Sequence, residues 1–263
     1  RGAFCFAAEL HKTVQGKQTI RVATWNMAYW QHREMLNDAW DCYLHTAQAD
    51  FYLFQEGRPY PVAQQGHLVW NEIGGKRDWG SGIYSPIYEI KEEDIGDSFK
   101  GVVTIGKTAL DNLPLTLTSL YGKMESDGPA KGYSITNLHR IFSDLTGVLN
   151  GHVGGKRNII LGGDFNASTQ FDEAQNNRSH ELLFARVEDF GLQNAYTLAG
   201  NKDHIQTLRR ADSTKPWQDD YLFFSKSLAK GFKGCEVIDT PDVRRFSDHN
   251  IVLVEVLLPS RGS

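Results

Sequence analysis

Asn158-Ile159-Ile160-Leu161-Gly162-Gly163-Asp164-Phe165-Asn166-Ala167 is the stretch on which the fold reading turns. Its apolar, β-branched start bounded by turn formers predicts a short buried strand over Asn158–Leu161. Gly162 and Gly163 are the punctuation expected where a strand ends in a turn. A carboxylate and a carboxamide, Asp164 and Asn166, follow at once, so the strand would deliver two polar side chains at its C-terminal end. An Asx turn uses the same residue types. What separates the two readings is whether other strands of the chain do the same.

They do. Further strands are predicted over Thr19–Thr24, Phe51–Phe54, Gly101–Ile105, Leu115–Leu120, Tyr221–Phe224 and Asn250–Leu257, with helical periodicity over Glu34–Ala47, Ser134–Leu149 and Ser179–Phe190. Strands mixed with amphipathic helices predict an α/β domain whose helices cover sheet faces. Asn26, Glu56 and Tyr121 fall just after three of the strands. Asp220 and the pair Asp248-His249 come just before the last two. If those two strands run antiparallel to the others, all these groups meet at one edge of the sheets. Four carboxylates would then share a cleft with Asn26, Asn166, Tyr121 and His249. Such a cluster repels itself unless a cation lies within it. Oxygen ligands without cysteine select a hard cation, Mg²⁺ or in its place Mn²⁺.

The bulk properties agree with one domain of this kind. The chain has 263 residues, enough to bury a core without disulfide staples. Short glycine clusters at Gly74-Gly75, Gly80–Gly82, Gly151–Gly155 and Gly162-Gly163 read as turns rather than linkers. The expected organisation is an N-terminal extension over 1–18, one catalytic domain over 19–259, and a closing 260–263 resembling a cloning scar. Cys5, Cys42 and Cys235 are odd in number and far apart, which argues against a disulfide framework and for a reduced, intracellular setting. No apolar run approaches a membrane span. With 28 basic and 32 acidic residues, the chain lacks the overall positive charge of a protein that grips nucleic acid by bulk electrostatics. No P-loop, dinucleotide glycine motif or nucleophile elbow is present, and no obligate protein partner is indicated, so a monomer is expected.

The strings Ala23-Thr24-Trp25-Asn26, Phe54-Gln55-Glu56, Gly162-Gly163-Asp164-Phe165-Asn166-Ala167, Asp220-Tyr221 and Ser247-Asp248-His249 resemble, in that order, the signature of the endonuclease/exonuclease/phosphatase superfamily. The resemblance implies a four-layered α/β sandwich with two packed mixed sheets flanked by helices. It implies a Mg²⁺-dependent phosphoric ester hydrolase with Glu56, Asn26 and Asp248 at the metal. Asp164 and Asn166 would hold the attacking water, and His249, oriented by Asp220, would contact the scissile phosphate. An alternative within the family makes the His249–Asp220 pair the base and Asp164 a metal ligand. Tyr121 stands where repair nucleases carry a tyrosine near the phosphate, although its surroundings depart from their pattern. Ala28 occupies a position where repair endonucleases have an aspartate, which weakens an abasic-site role.

For substrate, basic residues interleaved with tryptophan suit a phosphate backbone with stackable bases. Arg77, Trp79, Lys123, Arg210, Trp217 and Arg245 are the candidate substrate contacts, on expected loops, and nucleic acid is the leading substrate. A phosphatase or phosphodiesterase of a small or lipid-linked phosphate is the alternative. A catalytically inactive binding module on the same fold is a third reading, opposed by the retention of Glu56, Asp164, Asp248 and His249.

Overall fold

Along Thr19–Asn26 (β1), side chains alternate between the faces of a pleated strand. Ile20 and Val22 enter one hydrophobic cluster, whereas Ala23 and Trp25 enter another. The neighbouring Phe51–Gly57 (β2) sorts its residues the same way, with Phe51 and Leu53 on the first side and Tyr52 and Phe54 on the second. A sheet apolar on both faces must be covered on both. In the computed structural model, which describes residues 18–60, 65–96, 99–124, 135–149, 157–211 and 213–259, one face is covered by a second sheet and the other by helices.

The remaining strands are His67–Gly74 (β3), Arg77–Ser85 (β4), Lys91–Glu92 (β5), Val103–Leu110 (β6), Leu113–Tyr121 (β7), Ile159–Asp164 (β8), Leu192–Asn194 (β9), Asp220–Ser225 (β10), Phe232–Ile238 (β11) and Ile251–Leu257 (β12). They form two six-stranded mixed sheets, ordered β11-β12-β1-β2-β4-β3 and β5-β6-β7-β8-β10-β9. The helices are Leu36–Ala47 (α1), Ile135–Asp144 (α2), Thr146–Leu149 (α3), Thr169–Gln175 (α4), Ser179–Asp189 (α5), Ala195–Leu198 (α6), Lys226–Ala229 (α7) and Pro241–Phe246 (α8). On the outer face of the first sheet, α1 and α8 bury Trp40, Tyr43, Val243 and Phe246. Trp40 is fully enclosed, edge-on to Phe54 at 4.9 Å and Tyr84 at 5.9 Å and stacked on Tyr60 at 6.4 Å. Against the second sheet, α2 and α5 contribute Leu138, Ile141, Phe142, Leu183 and Val187. The result is the four-layered sandwich expected.

Strand direction is what places the site. β1 and β2 are parallel, as are β7 and β8. β12 runs antiparallel to β1, and β10 antiparallel to β8. Residues that end β1, β2, β7 and β8 therefore lie at the same sheet edge as residues that begin β10 and β12.

Several local expectations are corrected. Gly80–Gly82 and Gly162-Gly163 are strand interiors, and only Gly74-Gly75 forms the expected turn, between β3 and β4. The in-strand glycines serve close approach rather than reversal. A Cβ on Gly82 would lie 2.3 Å from the Phe54 ring. One on Gly163, whose φ is +149°, would lie 1.9 Å from the Leu120 carbonyl oxygen. Gly151–Gly155, residues 1–17 and 260–263 lie outside the described residues. The helix expected from Glu34 begins at Leu36, behind two 3₁₀ turns. The helix expected over Ser134–Leu149 divides into α2 and α3, where Thr146 Oγ1 donates back to the Ser143 and Phe142 carbonyls and Gly147 lowers helix propensity. Cys42 and Cys235 are free thiols. No helix among the described residues is long and apolar enough to cross a membrane.

Gly163→Ala is expected to destabilise the protein by about 1–3 kcal/mol, because backbone has to shift to admit the methyl group. Gly234→Ala, where nothing lies within 4 Å of the added Cβ, should stay within about 0.5 kcal/mol. Urea denaturation of the two variants measures the contrast.

Candidate active site

The register of the second sheet sets Tyr121, Asp164 and Asp220 side by side across β7, β8 and β10. In the first sheet Asn26 is level with Gln55 across β1 and β2, and Glu56 follows in a left-handed backbone conformation, φ 45°. The polar ends of the two sheets meet. Asn26 Nδ2 donates to Asp164 Oδ2 at 2.8 Å, and the Asn26 side chain also hydrogen-bonds Glu56. Tyr121 hydrogen-bonds Glu56 through its phenol. Asn166, also left-handed at φ 46°, donates its backbone N–H to Asp164 Oδ1 at 2.8 Å and its Nδ2 to Oδ2 at 3.0 Å. Asp164 is thus held by three donors.

His249 completes the arrangement. Its Nδ1 bonds Asp220 Oδ2 at 2.8 Å, and its Nε2 lies 3.9 Å from Asp164 Oδ2. The loop before β12 is fixed by Ser247, whose Oγ donates to the Asn26 carbonyl at 2.7 Å and accepts from His249 N at 3.0 Å. Trp25 Nε1 donates to the His249 carbonyl at 3.1 Å. Asp164, Asp220 and His249 lie close enough together to form a group that can hold a metal ion.

Glu56, Asp164, Asp219 and Asp220 are all buried, and the charge of this row shapes its acidities. Burial raises Glu56 and raises Asp164 well above the usual carboxylate range. His249 pulls Asp164 down, and Asp220, Asp219 and Glu56 push it up. Burial and then the neighbouring Asp220 push Asp219 up to about 7. For His249, burial alone would lower the pKa, but Asp220 and Asp164 overcome it and raise it well above an ordinary imidazole. Crowding of buried carboxylates disfavours their charged forms. Asp219 Oδ1 and Asp220 Oδ1 are buried with no hydrogen-bond partner. An oxygen-rich donor set with surplus negative charge and unpartnered oxygens fits a hard divalent cation.

Two carboxylates differ from expectation. Asp219 belongs to the buried row, and its Oδ2 accepts from Trp217 Nε1 at 3.2 Å. Asp248 stands exposed at the rim, its backbone carbonyl taking the Arg209 N–H at 2.8 Å. Thr207 is a further buried contributor, its Oγ1 accepting the backbone N–H groups of both Asp219 and Asp220 at 3.0 Å. Only the doubled Asp219-Asp220 signalled the extra acid in the sequence. Nothing local marked Thr207.

Of the candidate substrate contacts, Arg77 and Trp79 lie on β4 rather than on a loop. Trp79 is buried edge-on to Tyr121 at 5.3 Å. The Arg77 guanidinium lies over the Trp79 ring at 5.4 Å, with its Nη1 buried and without a hydrogen-bond partner. Arg210 lies over Trp217 at 4.6 Å. Arg245 is exposed on α8 over Phe246, and Lys123 is half-buried just past β7. Arg209 is committed to structure, bonding the Ser247 carbonyl and the Asn250 side chain.

Two mixed sheets with this topology and this edge of polar residues define the fold of the endonuclease/exonuclease/phosphatase proteins. The endonuclease domain of TRAS1, a telomere-specific non-LTR retrotransposon, superposes with a TM-score of 0.65 at 18% identity, over 92% of this chain and 100% of its own. The AP endonuclease LMAP from Leishmania major gives 0.68 at 15%, over 92% and 88%. An endonuclease/exonuclease/phosphatase family protein from Leptotrichia buccalis gives 0.58 at 16%, over 90% and 99%. No family model and no curated relative matches the sequence.

Thr207→Val should destabilise the protein by about 1–3 kcal/mol, since two buried N–H groups lose their acceptor, whereas Thr207→Ser should restore most of it. Thermal or urea unfolding of the pair tests this.

Proposed function

We propose that this chain is a Mg²⁺-dependent phosphodiesterase, and specifically a nuclease cleaving DNA or RNA by in-line attack of water. The observation that carries the reading is the buried Asp220–His249 pair with Nε2 turned toward Asp164, set in a carboxylate row with more negative charge than its one imidazole offsets. Two solved proteins of the same fold are endonucleases by name and another is a 3' phosphatase bound to a DNA hairpin, which supports the substrate class.

Glu56, Asn26 and the rim residue Asp248 would hold the cation, with Mn²⁺ as a substitute. The Asp164–Asp220–His249 group is the competing position. The bound ion would polarise the phosphoryl group and neutralise charge on the leaving oxygen. The protein's own groups do the rest. Asp164, immobilised by Asn26 and Asn166, accepts a proton from the attacking water, and a fixed base within hydrogen-bond reach is what that step requires. His249 is held cationic by Asp220 and presents Nε2–H to a phosphoryl oxygen as charge develops there. Tyr121 steadies Glu56 and stands beside Asp164 for a second contact to the phosphoryl group. Arg77, Trp79, Lys123, Arg210, Trp217 and Arg245 are the candidate outer contacts to the substrate.

Purified protein should cut single- or double-stranded DNA or RNA in Mg²⁺ and lose all activity in EDTA. Asp164→Asn and His249→Ala should each lower turnover by roughly 10²–10⁴-fold with unfolding midpoints unchanged by more than a few degrees. Glu56→Ala should abolish cutting at every Mg²⁺ concentration. Full activity in Asp164→Asn would overturn the assignment of roles. Turnover of inositol phosphates or sphingomyelin alone would keep the hydrolase and remove the nuclease.

A further inference from the structure

The carboxylate row is closed at each end by an indole. At one end Trp217 donates Nε1–H to Asp219 Oδ2 at 3.2 Å. At the other Trp30 donates Nε1–H to Glu56 Oε2. The two indoles differ in what they leave open. Trp217 is half-buried, edge-on to Phe171 at 4.8 Å and covered by the Arg210 guanidinium at 4.6 Å. Trp30 has 51% of its surface exposed and is the only aromatic among the exposed large apolar side chains of the described residues.

An indole left in water next to a catalytic carboxylate is an exposed apolar surface that a ligand can cover. This one is held rather than floppy. Its Nε1 is tied to Glu56, and it rides on the 3₁₀ turn Tyr29–Gln31, entered through Ala28 in a left-handed conformation with φ 44°. The same turn carries Tyr29, with the guanidinium groups of Arg33 and Arg58 at 5.5 and 5.8 Å from its ring. The Arg33 and Arg58 guanidinium groups are shared with Asp78, so the anchored, exposed indole is the feature that suits an unpaired nucleic-acid strand, because each base offers a face to stack. An intact duplex has its base faces already occupied, and a small phosphate ester has none.

We propose that Trp30 is the stacking platform for the nucleobase flanking the scissile phosphate on the Glu56 side, which makes a single-stranded or locally unpaired strand the preferred substrate. This rests on the nuclease reading above. Trp30 touches substrate through its ring and Glu56 through its N–H, and substitutions separate the two contacts. Trp30→Phe keeps a ring and loses the donor. Trp30→Ala loses both.

The test is fluorescence anisotropy of a short labelled single strand, as DNA and as RNA, in EDTA so that no cutting occurs, with cleavage of the same strand measured in Mg²⁺. Trp30→Phe should bind within about threefold of the parent, and Trp30→Ala should bind about 5- to 100-fold more weakly, the range of one base–aromatic stack. Removing one base of the strand, by an abasic nucleotide beside the cleaved bond, should weaken binding to the parent by a similar factor and leave Trp30→Ala almost unaffected. Annealing the complement should weaken parental binding. Equal losses in Phe and Ala, or no loss in either while the parent cuts the strand, would overturn the proposal and leave Trp30 acting through Glu56 alone. If the parent neither binds nor cuts any strand but hydrolyses a small phosphate, the nuclease reading falls and the platform with it.

Discussion

The hydrogen bond from Asn26 Nδ2 to Asp164 Oδ2 joins the polar ends of two sheets whose facing sides are mostly hydrocarbon. The seam behind it is made the same way. Gln55 donates to Ser119, Ser119 to the Phe54 carbonyl, and Thr104 to the Ser81 carbonyl. Buried polar groups are costly unless they find partners. This seam therefore fixes how one sheet sits on the other, and with it the placement of Glu56 relative to His249. Catalytic geometry at this edge follows from sheet packing more than from any loop.

The strong electrostatic cost of the row is the other half of that constraint. Four buried carboxylates around one imidazole are unstable as four charges, and Glu56, Asp164 and Asp219 hold their protons more tightly than ordinary carboxyl groups. The fold tolerates this because each carboxylate is gripped from behind, Asp164 by Asn26 and Asn166, Glu56 by Tyr121, and the Asp219-Asp220 backbone by Thr207. Asp248 is spared burial by its place on the turn before β12. A site built this way is preorganised for positive charge.

The strands that carry the site were legible because their apolar runs are β-branched and end abruptly in Asn26, Glu56, Tyr121, Asp164 or begin after Asp220 and His249. Parallel and antiparallel neighbours could then be sorted by asking which directions bring those residues together. The hairpin of β3 and β4 was not legible. Its glycines imitate turns, and the reason for them, the Phe54 ring against Gly82 and the Asn71 backbone against Gly80, lies across the sheet. Trp79 read as a loop aromatic for the same reason and is instead packed behind Tyr121. Asp219 was visible only as the acid beside Asp220, and Thr207 and Trp30 escaped because their importance is a matter of tertiary placement: a hydroxyl under two N–H groups and an indole reaching back to Glu56.

Direct measurement of Mn²⁺ binding, by electron paramagnetic resonance on the parent protein, Glu56→Gln and Asp220→Asn, bears most closely on the central claim that this edge is a cation site organised around Glu56. Binding by the parent, lost in Glu56→Gln and retained in Asp220→Asn, is the predicted result. No binding by the parent, or binding that survives in Glu56→Gln and disappears in Asp220→Asn, would contradict it.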